Sequence, residues 1–134
     1  MSVKQKSVLL VLLLLPLAVL ADELAPFTTD GCSAFPDGTL TRKQLWLDCC
    51  TEHDYVYWKG GTVQQRLDAD VQLEQCVAVV GEPRIAAFML AGVRVGGVPY
   101  LPTSFRWGYG WPYPGRYRAL SEQELLQVEV MRPH

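Results

Sequence analysis

The stretch Cys49-Cys50-Thr51-Glu52-His53-Asp54-Tyr55-Val56-Tyr57 sets two thiols, an imidazole, carboxylates and phenols close together on the chain. On an α-helix, residues three and four apart share a face. Cys50, His53 and Tyr57 then align, with Asp54 beside His53. An imidazole that accepts a proton, next to an acid that can hold a metal ion, points to metal-assisted hydrolysis. A histidine alone would more often be an ordinary helix residue; the neighbouring acid and cysteines favour chemistry.

Asp70 is the second candidate. Val63, Leu67, Asp70, Leu73 and Val77 recur at helical spacing, which puts this carboxylate on an apolar side. Burial there is costly unless the group is hydrogen-bonded. Folding the chain back at Gly60-Gly61 lets Asp70 meet both His53 and Tyr57. A carboxylate on one imidazole nitrogen fixes the tautomer and leaves the other nitrogen as a base. The alternative is a pair with Arg66, its i,i+4 neighbour. Asp54 falls on the adjoining face, toward the loop Asp30-Gly31-Cys32-Ser33. Were Cys32 bonded to Cys50, the Asp30 carboxylate and Gly31 carbonyl would join Asp54 around one hard cation. Oxygen ligands of this kind favour calcium over zinc. Asp30 as a turn residue alone is the plainer reading.

The elements that must position these groups follow from periodicity and punctuation. Thr41 is a plausible cap for a helix over residues 42–59, which Gly60-Gly61 ends. Thr62 with Gln65 forms a capping box for a second helix over residues 63–80. The short turn makes the two helices antiparallel. Pro83 starts a third helix, and residues 85–93 are apolar almost all round, which predicts burial. Residues 98–118 crowd Tyr100, Phe105, Trp107, Tyr109, Trp111, Tyr113 and Tyr117 among prolines and glycines, so an irregular path rather than regular helix is expected there. These rings either pack or meet a membrane interface, and packing is favoured. Arg94, Arg106, Arg116 and Arg118 are available to lipid phosphates or to stacking on the rings. Ser121 to Glu124 opens a short final helix or strand.

Residues 1–21 read as a secretory signal peptide: Lys4 and Lys6 precede an apolar run from Val8 to Leu20, with cleavage expected before Asp22. Residues 22–134 are expected to form one domain, secreted or periplasmic. Without Lys4 and Lys6 the chain keeps ten basic and fourteen acidic residues, a net charge of −4. That balance gives no footprint for nucleic acid. All four cysteines follow the leader, so two disulfides are expected, which disfavours a thiolate zinc site. Adjacent Cys49 and Cys50 do not readily bond each other, which leaves two possible pairings.

Taken together, Cys49-Cys50-x-x-His53-Asp54-x-x-Tyr57, followed by Asp70 and then Cys76, resembles the secreted phospholipases A2. Asp30-Gly31-Cys32-Ser33 with Pro36-Asp37 looks like the bacterial and fungal branch. The resemblance covers residues 30–77. It implies a mainly α fold around an antiparallel two-helix core cross-linked by disulfides; nothing after residue 80 matches the family, so the buried third helix and the irregular aromatic-rich C-terminal segment are expected from the residues alone. It implies the pairings Cys32–Cys50 and Cys49–Cys76. It also implies His53 as general base, Asp70 and Tyr57 as its partners, and Asp54 as a calcium ligand. The chain departs from the animal enzymes at Val56 and Ala69, where both halves of a further disulfide are missing, and at Ser33-Ala34-Phe35, where a glycine-rich calcium loop would stand. The expected activity is calcium-dependent hydrolysis of the sn-2 ester of phospholipids at a membrane surface or micelle, with water as nucleophile. The rivals are a catalytically silent lipid- or protein-binding module of the same fold and a secreted module in which only the cysteines matter.

Overall fold

Residues 22–133 are described by a computed structural model. The expected leader, residues 1–21, lies outside the described residues. These comprise four α-helices and no strand: α1 (Leu47–Lys59), α2 (Val63–Val79), α3 (Pro83–Gly96) and α4 (Glu122–Val130).

Helix α1 starts five residues later than its periodicity suggests, and Thr41 does not cap it. The hydroxyl of Thr39 accepts from the Arg42 amide, and the Thr39 amide donates to the Arg42 carbonyl. These bonds close a turn instead of a first helical turn. Trp46 then ties the turn down, donating its amide to the Asp37 carbonyl and its indole to the Pro36 carbonyl at 2.6 Å. Gly38 is needed here, since any β-carbon would run into the backbone of residues 42–45. Side-chain bonds of this sort compete with helix, and here they win.

The end of α1 behaves as expected. Gly60 and Gly61 both have positive φ, +69° and +138°, which side-chain-bearing residues avoid. The capping box Thr62–Gln65 opens α2, with both reciprocal bonds formed. Helices α1 and α2 are antiparallel: the linked pairs Cys49–Cys76, His53–Asp70 and Tyr57–Arg66 climb one helix while descending the other. The buried stripe of α2 is Arg66, Ala69, Asp70, Leu73 and Val77. Val63 is half exposed, so the stripe is rotated at its start relative to the apolar pattern.

One core gathers Trp46, both adjacent cysteines, Leu73, Val77, Ala86 and Met89 between α1, α2 and α3. The third helix is not the buried rod that its composition implies. Only Ala86 and Met89 are buried, while Phe88 is 71% and Val95 79% exposed. Among the helices it packs chiefly on α2, and its other apolar face borders an open cavity.

The aromatic segment is irregular: Trp107 and Trp111 are buried, Tyr109 and Tyr117 are partly covered, and Tyr100, Phe105 and Tyr113 are exposed. Gly108 and Gly110 donate their amides to the carbonyls of Tyr57 and Trp58, and the Trp111 indole donates to the carbonyl of Lys59. It thus satisfies carbonyls that the end of any helix leaves without partners. Trp107 is fully buried and donates to the Gly61 carbonyl at 3.0 Å. A second core of Leu24, Trp58, Trp111 and Val128 joins the start of the described chain to α4. There Gln127 accepts from the Leu24 amide and donates to the Asp22 carbonyl. The final segment is a helix, opened by the capping box Ser121–Glu124.

Candidate active site

Cys32 is bonded to Cys50 and Cys49 to Cys76, with Cα atoms 5.0 and 5.7 Å apart. The first bridge ties the 30–35 loop to α1, and the second locks α1 to α2. His53 and Asp54 sit one turn beyond the first bridge.

His53 Nε2 lies 3.0 Å from Asp70 Oδ1, and the Tyr57 hydroxyl donates to the same oxygen at 2.6 Å. The direction of these bonds follows from their partners. The Nε–H of Arg66 can only donate, and it does so to the Tyr57 oxygen at 3.0 Å. The Tyr57 proton is therefore directed to Asp70. An ionised Asp70 Oδ1 accepts from His53 as well, which assigns the proton of a neutral imidazole to Nε2 and leaves Nδ1 as the basic nitrogen. Asp70 is fully buried and His53 nearly so. Burial pushes the Tyr57 phenol far up, and the charge of Asp70 adds to that, so Tyr57 stays a donor.

The expected rival partner, Arg66, is also present, with Nε 3.9 Å from Asp70 Oδ2. Sequence reasoning treated the two as alternatives, but Asp70 has an oxygen for each side. It also missed the nearer cation. Arg94 Nε lies 2.8 Å from Oδ2, although its N–H is not aimed along an aligned bond, so the contact is chiefly one of charge. Arg94, expected to meet lipid phosphates or to stack on the rings, turns inward to Asp70 instead. Arg106 also turns inward; it donates to the carbonyls of Gly108 and Trp111 and lies 5.7 Å from the Tyr113 ring centre. Arg118 pairs with Glu124. Arg116 is exposed.

The imidazole borders a mainly apolar cavity of about 390 Å³. Its walls include Phe35, Leu73, Phe88, Met89, Val93 and Phe105, with Gly31 to Ala34 beside His53 and Asp54. Ser33 has φ +57°, a conformation rare for a residue with a side chain. Its hydroxyl donates to Asp30 Oδ1 at 2.8 Å. The amides of Gly31 and Cys32 are taken by Thr29 Oγ1 and Asp37 Oδ1.

Asp54 separates this cavity from a smaller one of about 240 Å³, which Thr28, Thr29, Asp30 and Tyr109 also line. Burial pushes the Asp54 carboxyl up to about 6, against downward pulls from the Thr29 hydroxyl and His53; the Asp30 carboxylate adds to the rise. The Thr29 hydroxyl donates to Asp54 Oδ2 at 2.6 Å. Asp30 and Asp54 are neighbouring carboxylates, the first exposed and the second buried, and oxygen donors are the kind that a hard cation takes. Among the described residues, no group of three or more His, Cys, Asp or Glu side chains could hold a metal ion. A cation here would therefore draw its remaining oxygens from the backbone or water. Thr29 carried no signal in the sequence, because nothing local links it to a residue 25 positions away.

The chain matches no protein-family model, no curated protein and no solved structure.

Proposed function

We propose that the chain is an exported, calcium-dependent esterase of the phospholipase A2 kind, cleaving the sn-2 ester of phospholipids at a membrane surface or micelle. The observation that carries this is His53 held through Nε2 by a buried carboxylate while its ring borders a mainly apolar cavity of about 390 Å³. The two disulfides suit an oxidising compartment. No helix among the described residues is long and apolar enough to cross a membrane.

In this reading Nδ1 of His53 takes a proton from water, and the water oxygen attacks the ester carbonyl. Asp70 supports the imidazolium that forms, and Tyr57 holds Asp70. Collapse of the tetrahedral intermediate breaks the acyl C–O bond. The proton on His53 passes to the leaving alkoxide, giving fatty acid and lysophospholipid. The Ser33 amide is the loop donor assigned to the oxyanion. Asp54, Asp30 and the Gly31 carbonyl would hold calcium, which supplies positive charge for the phosphate and the carbonyl oxygen.

The deciding experiment is release of fatty acid from mixed micelles, with calcium and with a chelator. Calcium-dependent release is expected from the wild type, with His53→Gln folded but inactive. Undiminished release by His53→Gln would refute the assignment. A silent binding module of the same fold is the second reading, favoured by the small number of acidic side chains at the cation position. It predicts micelle binding without release.

A further inference from the structure

We infer that Arg94 is a positioning residue: it holds Oδ2 of Asp70, so that Oδ1 alone is presented to His53 and Tyr57. This rests on the proposed role of the His53–Asp70 pair.

The terminal torsion of a carboxylate is broad and roughly two-fold, so packing alone holds it poorly. Asp70 is fully buried, with Oδ1 already accepting from two donors and Oδ2 left to charge alone. Arg66 does not fill that role, because its guanidinium is spent elsewhere. Its Nε donates to Tyr57, Nη1 to the Tyr117 hydroxyl, and Nη2 to the carbonyls of Val93 and Arg94. Arg94 is the cation that remains. Its Nη2 donates to the Leu67 carbonyl at 3.1 Å, which lays its stem across α2 and aims it at Asp70. Arg66 in turn grips the carbonyl of Arg94 itself and so fixes the backbone from which that side chain reaches back. The last turn of α3 is thus both a wall of the cavity and a handle on the dyad. Without Arg94, the nearest charge to Oδ2 is Arg66 at 3.9 Å, and rotation toward it draws Oδ1 away from His53.

The Arg94 side chain is about a third exposed, so replacing it opens no buried void. The test compares Arg94→Gln, Arg94→Lys and, as a control, Arg118→Gln, which breaks an unrelated ion pair on α4. Long-range proton–nitrogen correlation on histidine-labelled full chain reads the His53 tautomer, with His53→Gln providing the assignment. The wild type and Arg118→Gln should show the Nε2–H form. Arg94→Gln should show a mixture, and Arg94→Lys should recover the wild-type form, because the contact depends on charge more than on fork geometry. On mixed micelles Arg94→Gln should lower kcat by roughly tenfold or more with KM little changed. An unchanged tautomer in Arg94→Gln overturns the inference, as does an Arg118→Gln spectrum altered in the same way. A wild type that releases no fatty acid refutes the proposed function instead, and the spectra then decide the role of Arg94 by themselves.

Discussion

Asp70 shows what a single buried charge demands of its surroundings. Tyr57 and His53 converge on one oxygen, and Arg94, with Arg66 further off, attends the other. Removing one member of a buried charged cluster is costly because the others stay buried without a partner. Asp70→Asn is therefore expected to lower stability by about 3 kcal/mol, read from the midpoint of urea unfolding. It should also lower hydrolysis by orders of magnitude, since His53 loses the negative charge that supports its charged form. Lost stability with undiminished hydrolysis would make Asp70 purely structural. The pairing of His53, Tyr57 and Asp70 was legible in the sequence, because helical spacing and one glycine turn suffice to place them. Arg94 and Thr29 were not, because their contacts depend on how α3 and the 28–31 loop lie against the hairpin, and no local rule encodes that.

At the scale of elements, the boundaries written in cap chemistry were the readable ones. Thr62–Gln65 opens α2 through reciprocal bonds and Gly60-Gly61 closes α1, whereas the element starting at Ser121 was expected as helix or strand and the reciprocal bonds with Glu124 make it a helix. The start of α1 was misplaced, because hydroxyl and indole bonds to the backbone outweighed a helical pattern over residues 42–46. The third helix was read as buried since its composition records apolarity and not the number of neighbours. The Glu124 of α4 gives a pH prediction. Two hydrogen bonds from Arg118 hold its carboxyl down to about 2, with the Ser121 amide helping and burial opposing. A carboxyl more acidic in the folded than in the unfolded chain adds stability above its ordinary value near 4.5, and that stability fades as pH falls toward about 2. Arg118→Gln should thus be less stable than the wild type at pH 6, with the gap closing by about pH 2 in acid-unfolding curves. A gap independent of pH would assign the loss to packing of the arginine stem.

Across the whole molecule, two bridges and an irregular aromatic segment do what a larger core would do in a longer chain. Each bridge contributes about 3 kcal/mol by restricting the unfolded chain, a large share of the stability such a protein can hold. The aromatic residues were expected mainly to pack, and Trp107 and Trp111 do so while also donating hydrogen bonds to the end of α1. That last role has a measurable outcome. The amides of Gly108 and Gly110 lie outside any helix, yet each is bound to a carbonyl of α1. In deuterium oxide they should exchange as slowly as the middle of α1, released only when the entire chain unfolds. Fast exchange at those two glycines would mean that the clasp opens by itself, leaving the histidine-bearing rod to fray from its carboxyl end.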